Sequence, residues 1–505
     1  MEEHLDSRVI DDYLVKKPFI RVTPDYYSGR EGIVVSGSKF IAVPQDDLHG
    51  RLMTQSDFLR EFHVTGHKIN SEEYYPNIWK KNEEGRPVVE MVARAAFPFQ
   101  EIIATKQLIH LTGNQVKIED STMKLSKESK ETLLFFRQGW KDKNLEIAFF
   151  DFVSSVKITG DAALCFFFNK GKIDWKVFSF LEGDTLYMHH DSLTGEKKLF
   201  IRRYSMYDEN NKEVKEFAEA WDNTYMYRFE KHKAGVRGII NSMRGAFGKT
   251  GWVEVYRDRH GFDRMPISYH RDRDVCWANS QNIIEMYEMA VSQLCENNKA
   301  YAFPILFVKG GDLEFKGQVD GRPYAIMSSD SDSDAKTINR GDSSSSFKLQ
   351  LETLLQNIFM GSFTVLPPEV KAGDLPGVAI KLLYSPAVEK AMKDAKAFDH
   401  VIDDMVKLFK FGYAKESKKT TAFNKLEVHG TIEPYVHQNV AEVMQNLFTG
   451  VTAGFLSKET ASEITPYGKN DEHQRILNQA REEIMGIKNE NYDELEGDGA
   501  RASQN

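Results

Sequence analysis

From Val388 onward the chain places Val388, Ala391, Met392, Ala395, Phe398, Ile402, Met405 and Phe409 in a seam whose gaps are mainly three and four residues. Such spacing returns to one side of a helix at every turn, so it commits the stretch to a long amphipathic helix. The pattern starts near Gly377 and ends near Gly412, a length of roughly 50 Å at 1.5 Å per residue. Pro386 predicts a kink in it, because proline has no N–H to donate and its ring crowds the turn before it.

Two shorter helices precede it. Ile283, Tyr287, Ala290 and Leu294 share a face over 279–300, with Ile284 and Val291 beside it, Asn279 and Ser280 as N-cap candidates and Pro304 as the stop. Phe347, Leu351, Leu354, Leu355 and Ile358 stripe the second. A Pro/Gly-bearing loop, TVLPPEVKAGDLP at 364–376, joins it to the long helix. Between the two short helices, FPILFVKGG and GQVDGRPYAIM read as short strands, and SSDSDSDAKTINRGDSSSS reads as a mobile polar linker.

Upstream, 155–256 is rich in aromatic and β-branched runs separated by turn signals at Asn169–Gly171, Glu182–Asp184, Asp191–Gly195 and Asp208–Asn211. Meandering antiparallel strands fit that punctuation. A helix is expected over 130–153, and a dense apolar stretch at Val88–Leu111 is interrupted by Pro98 and ended by Gly113. Short extended runs stand at Gly32–Ser36 and Phe40–Val43. Downstream come a strand at 425–436, two or three short helices with the last near Asp471–Ile487, and an acidic tail from Lys488 that reads as disordered. The fold class is therefore α+β.

Charge narrows the function. With 66 basic against 75 acidic residues the net charge is −9, the wrong sign for a protein that grips DNA by neutralising phosphates. Cys165, Cys276 and Cys295 are too few and too far apart for a disulfide framework or a thiolate metal site. That usage fits folding in a reducing, intracellular setting. The N-terminus lacks the basic and apolar regions of a signal peptide, and no run of about 18 apolar residues predicts a membrane span.

The chemical motifs fail on inspection. GAFGKTGW at 245–252 has Met243 where a phosphate-binding loop needs glycine, and WVEVY after it reads as strand. Asp330, Asp332 and Asp334 begin like a calcium loop, but Ala335 and Gly341 occupy its glycine and glutamate positions. His63 and His67 have Gly66 between them and no third ligand nearby, and His189, His190 and Asp191 lie beside a turn, so neither group is expected to bind metal; YHRDRD at 269–274 reads as a salt-bridged surface strand or an interface. No GxSxG, HExxH or paired-cysteine signature is present. No catalytic residue, cofactor or metal is expected.

The order of elements and several local stretches resemble the portal proteins of tailed phages with long non-contractile tails. IFMGSFTVLPPEVKAGDLPGVAIKLLYSPAVEKAMKDAKAF resembles that family's second stem helix, tunnel loop and long helix, which opens here on Pro376-Gly377-Val378-Ala379-Ile380. NVAEVMQNLFTGVTAGFLSKETASEITPYGKNDEHQRILNQAREE resembles its C-terminal part, with helix starts at Ser457–Thr460 and Asp471-Glu472. VARAAFPFQEIIATKQLIHLTGNQVKI resembles its N-terminal segment, so the likeness covers most of 88–487. Pro376 in place of a usual serine, and Leu366-Pro367-Pro368 in the loop, depart from the pattern.

The resemblance implies a ring-forming portal fold: a β-rich wing (1–275), a first stem helix (276–302), a small α/β clip (303–345), a second stem helix (346–363), a tunnel loop (364–376), a tunnel helix (377–417), a strand returning to the wing (418–436), a helical crown (437–487) and a tail (488–505). It implies a non-enzymatic ring of about twelve subunits, closed head to tail, at one capsid vertex of a virion assembled in the host cytoplasm. Double-stranded DNA would pass through it non-specifically. A terminase large subunit and then a head–tail adaptor would dock on it, with major capsid or scaffolding protein around the wing and no membrane. In that reading Pro367, Pro368, Glu369, Lys371, Asp374 and Lys381 face DNA, and Ile283, Tyr287, Leu294, Leu351, Leu355 and Ile358 pack subunits. Lys309, Asp312 and Arg322 meet partners at the clip. The competing readings are another head–tail connector or tail ring, and a packaging ATPase or nuclease. The second lacks its phosphate-binding loop.

Overall fold

In the computed structural model the described residues are 33–36, 39–42, 55–81, 85–121, 126–190, 193–207, 214–231, 252–272, 274–301, 305–309, 313–319, 322–328, 334–338, 344–365, 377–435, 440–465, 472–473 and 475–481. The chain divides into two compact units, 1–364 with 389–435, and 365–388 with 436–505.

Two hairpins and a helix open the first unit: β1 (Ile33–Ser36) with β2 (Lys39–Ala42), then α1 (Gln55–Phe62), then β3 (Ile78–Lys81) with β4 (Pro87–Glu90). Helix α2 (Phe99–Thr112) starts immediately after Pro98 and stops at Gly113, as expected. Strand β5 (Lys117–Asp120) follows. The single helix expected over 130–153 is two, α3 (Lys127–Asp142) and α4 (Leu145–Thr159). Asn144 between them adopts φ 55°, a left-handed conformation that asparagine tolerates and that ends a right-handed helix.

Strands β6 (Asp161–Asn169) and β7 (Lys172–Phe178) form a tight hairpin, with Lys170 and Gly171 both at positive φ, as a two-residue turn between twisted strands requires. Next come β8 (Thr185–His190), β9 (Lys197–Tyr207), β10 (Val214–Trp221), β11 (Tyr225–Lys231) and β12 (Trp252–Arg259), neighbours in chain order in one antiparallel five-stranded sheet. The expected meander is therefore observed. β13 (Ile267–Arg271) instead joins β6 and β7 in a three-stranded sheet. GAFGKTGW, apart from Trp252 in β12, and the Asp208–Asn211 turn lie outside the described residues.

Helices α5 (Gln281–Tyr301) and α6 (Ser344–Gly361) flank four strands: β14 (Ile305–Lys309), β15 (Leu313–Val319), β16 (Arg322–Ser328) and β17 (Asp334–Ile338). β15 pairs with β16, and β14 with β17, both antiparallel. β17 corrects the reading of 328–346 as linker: Thr337 and Ile338 are strand formers hidden among Ser and Asp, and Ile305–Lys309 supplies their partner. The segment is thus all β among the described residues rather than α/β.

The expected long helix breaks at Tyr384 into α7 (Gly377–Leu383) and α8 (Ser385–Glu416). Pro386 sits in the first turn of α8, where its missing N–H costs nothing. Ala391, Ala395, Phe398, Ile402, Met405 and Phe409 are buried, but Met392 is 56% exposed; it lies one residue off the seam, and Val401, Val406 and Leu408 widen the buried side instead. From Ala395 on, the buried ones join Phe136, Trp140, Phe149 and Phe152 of α3 and α4 in the largest apolar cluster. Gly412 and Gly139 permit the approach: an added Cβ would stand 2.1 Å from Ile173 Cδ1 and 2.4 Å from the Tyr413 ring, respectively.

The strand expected at 425–436 is shorter. A turn of helix, α9 (Thr420–Asn424), precedes β18 (Val428–Thr431), which pairs with β5. In the second unit α10 (Val440–Thr452) and α11 (Lys458–Ile464) follow, with Ser457 capping α11 by accepting from Thr460 N. Residues 472–473 and 475–481 are helical, matching the last expected helix in part.

Candidate assembly and channel site

Helix α5 carries three side-chain acceptors four residues apart, Glu288, Ser292 and Glu296, which therefore lie along one face. Residues 92–97, in no helix or strand, run alongside them. The N–H groups of Phe97 and Ala95 donate to Glu288 Oε1 and Ser292 Oγ, each at 2.9 Å, and Ala93 N–H donates to Glu296 Oε1. The spacings match: two residues of extended chain advance about 6.6 Å, and four helical residues about 6 Å. Helix side chains thus satisfy a strand-like segment that has no sheet to join.

Glu288 has a second partner. His67 Nδ1 lies 2.6 Å from the same carboxylate oxygen, and both side chains are 2% exposed. Arg94 Nη2 donates to Tyr75 O at 2.8 Å and Asn77 Oδ1 at 3.0 Å. At the far end of α5, Lys299 pairs with Glu90 at 2.9 Å. Hydrogen bonds from Lys80 and Lys299 hold the Glu90 carboxyl down at about 2, and the bond to Glu90 raises Lys299.

On its other side α5 meets α6. Ser280 Oγ donates to Ile358 O at 2.7 Å, so the start of α5 lies beside the end of α6 and the two run antiparallel. Gly361 admits the contact; a Cβ there would stand 3.0 Å from Ser280 Oγ. Ile284 and Ile358 are buried with Phe99, Trp277 and Phe359, and Ile283, Tyr287 and Leu355 pack against them half-buried. The buried positions of α5 are Ile284, Glu288, Ala290 and Ser292, a more polar face than the expected one through Ile283, Tyr287 and Leu294.

The residues expected to pack subunits therefore divide. Ile283, Tyr287, Leu355 and Ile358 pack within their own chain, and Leu294 and Leu351 are half-buried. Among the described side chains of the pair, the exposed large apolar residues are Met286, Leu349 and Met360. Lys309 and Arg322 stand on β14 and β16, and Asp312 lies outside the described residues. So do Pro367, Pro368, Glu369, Lys371 and Asp374, whereas Lys381 is exposed on α7.

A buried charge cluster anchors α8. Asp394 bonds both Lys157 of α4 and Lys390. Burial pushes Lys390 below its ordinary range. Burial alone would raise Asp272, but the His270 hydrogen bond and charge bring it below the usual carboxylate range. Burial also raises Asp161, which accepts from Gln55 Nε2 at 3.3 Å and Tyr269 OH at 3.2 Å. In the 269–274 motif Tyr269, His270 and Asp272 are half-buried, Arg271 and Asp274 are exposed, and His270 pairs with Asp272 at 3.0 Å; β13 pairs with β6 and faces α8 through His270 and Phe398. Cys276 is pushed up to about 12 by burial, an inert thiol at neutral pH. Among the described residues no group of His, Cys, Asp and Glu has the arrangement to hold a metal ion, and no helix is long and apolar enough to cross a membrane.

Sequence comparison adds two findings. The family described as "Phage portal protein, SPP1 Gp6-like" matches residues 7–486. A protein of Bacillus phage SPP1 named "Portal protein" is 24% identical over 344 residues, covering 65% of this chain; the chain spans 64% of that relative's length.

Proposed function

The chain belongs to the phage portal protein family, SPP1 Gp6-like, and on that premise we propose that it forms a cyclic ring of about twelve copies at one capsid vertex. Double-stranded DNA enters and leaves the head through the ring, and a terminase and later a head–tail adaptor dock on it. The observation that carries this reading is the antiparallel α5–α6 pair with four strands between its helices, followed by the Pro/Gly loop and then α7 and α8. A helical pair with an insertion at one end and a loop at the other suits a wall element that offers partners one end and the channel the other.

Electrostatics supports passage rather than grip. Residues 303–345 hold seven acids and five bases, a balance that repels phosphate and keeps contacts weak. In this reading Lys371 and the exposed Lys381 supply the few mobile positive contacts to DNA, with Pro367, Pro368, Glu369 and Asp374 shaping the loop that carries them. Lys309, Asp312 and Arg322 meet the terminase and adaptor. Residues 1–275 face capsid or scaffolding protein, and 437–487 cap the ring inside the head. The energy of packaging comes from a separate ATPase, and the ring is assembled in the host cytoplasm.

Electron microscopy of the purified chain tests the proposal. Rings of about twelve subunits with a central hole are expected; a compact monomer or dimer under all assembly conditions would overturn it.

A further inference from the structure

The β3–β4 hairpin has no core behind it. Every residue of β3, and Pro87, Val88 and Val89 of β4, are exposed. Trp79, paired across the strands with Val89, is 70% exposed, and Met91 at the hairpin's base is 72% exposed. A two-stranded hairpin is marginal in water by itself, and an exposed indole beside Val89 and Met91 makes a contiguous apolar surface of the kind that marks a protein contact. Yet its base is fixed. The ladder from Ala93, Ala95 and Phe97 to α5, the Arg94 bonds to Tyr75 and Asn77, and the Lys299–Glu90 pair hold it against the side of that helix.

At 3.6 residues per turn, Glu288, Ser292 and Glu296 fall on the side of α5 opposite Ile283 and Tyr287, which join the apolar cluster holding Phe99, Leu355 and Ile358, while Ser280 at the start of α5 bonds the end of α6. The hairpin and α6 therefore meet different sides of α5. On α6, Leu349, Thr353, Gln356 and Met360 lie diametrically opposite the stripe Phe347–Leu351–Leu354–Ile358. That outer face has Leu349 at 66% and Met360 at 72% exposure. The hairpin and the outer face of α6 are thus unlike apolar surfaces on one chain, carried by the same helical pair.

A head-to-tail ring needs two such surfaces, because each copy meets its two neighbours through different patches. We infer that the hairpin of one copy, through Trp79, Val89 and Met91, clasps the outer face of α6 in the next copy of this chain, at Leu349 and Met360. The inference rests on the ring reading and assigns to the neighbour contact residues that sequence reading placed elsewhere: Ile283, Tyr287, Leu355 and Ile358 hold the pair together inside each copy, and the clasp joins copies.

Disulfide trapping in the full chain tests it. With Cys295, the exposed cysteine, replaced by Ser, the pairs Trp79→Cys with Leu349→Cys and Trp79→Cys with Met360→Cys are oxidised and run on denaturing, non-reducing gels. A ladder of covalent multimers from either pair, with nothing beyond dimers from each single cysteine, is the expected result. Rings visible by electron microscopy with only monomers on the gel for both pairs would overturn the clasp and leave the ring reading standing. Absence of rings in the unmodified chain would sink the ring reading and the clasp with it. Independently, Trp79→Asp lowers ring yield at least tenfold while helix content by circular dichroism is unchanged; wild-type ring yield would contradict the clasp.

Discussion

Glu288 occupies a helix position that on its own reads as solvated, yet its carboxylate is the acceptor for both His67 and the Phe97 amide. Removing it leaves two buried polar groups without a partner, so Glu288→Ala is expected to destabilise the first unit by about 3 kcal/mol in urea unfolding. Glu288→Gln keeps an acceptor oxygen and is expected to cost about half as much. A loss near zero for the alanine variant would mean that the segment 92–97 is held by other contacts. Gly412 makes a different demand. A methyl group there meets Ile173 Cδ1, so Gly412→Ala is expected to cost about 1–3 kcal/mol through overpacking, read from the same unfolding curves. Neither role was legible from the residues. His67 is 221 positions from Glu288, and a glycine at the end of a helical pattern reads as a stop signal rather than as space for Ile173. The one hint was polar: Glu288, Ser292 and Glu296 repeat at four-residue intervals, a regularity that solvent does not require.

At the level of elements, periodicity and punctuation carried far. The meander, the Pro98 start of α2, the Gly113 stop, the α6 stripe and the break before Pro386 were all readable, because each depends on chemistry within a few residues. The misses were elements defined by a partner. β17 is a strand because β14 lies beside it, and Met392 is exposed because the core touches the Phe398 side of α8 instead. The β3–β4 hairpin depends on partners too, and its hold on α5 depends on pH. The Glu90 carboxyl is held at about 2 against an ordinary 4.5. A carboxylate with a depressed folded-state value favours the folded form above its unfolded value, and that contribution is lost as pH falls. The Glu90 anchor is therefore complete above about pH 4.5 and gone near pH 2. Trp79 fluorescence is expected to change over that window in the wild-type chain, and Glu90→Gln is expected to remove the change. An identical transition in the glutamine variant would assign it to another group.

For the whole molecule, the ordered set of helix, β insertion, helix, Pro/Gly loop and long helix was legible because it is written in the chain's own succession; what subunits share was not, because it is distributed over surfaces that no local pattern defines. Ile283 and Tyr287, read from the sequence as contacts between copies, lie half-buried against an apolar cluster of their own chain. The 364–376 loop sits at the opposite extreme: the ring reading assigns it to the channel rather than to the packing of either helix it joins. Residues 344–361 and 385–416 form helices with their own burial patterns, and neither pattern requires the loop between them to have its particular length. Deleting Pro368–Gly373 should therefore leave ring formation intact, counted by electron microscopy. It removes Lys371, one of the two lysines proposed to touch DNA, and shortens the reach of the loop. In an assembly reaction with terminase and capsids, the expected result is normal rings but reduced packaging or retention of DNA, measured as nuclease-resistant genome per particle. Replacing Lys371 and Lys381 by Glu should give a smaller loss, which salt relieves as it screens the new like-charge repulsion against phosphate. Unchanged packaging in the deletion would refute the role proposed for the loop while leaving membership of the portal family untouched; loss of rings would show instead that the loop is part of the wall.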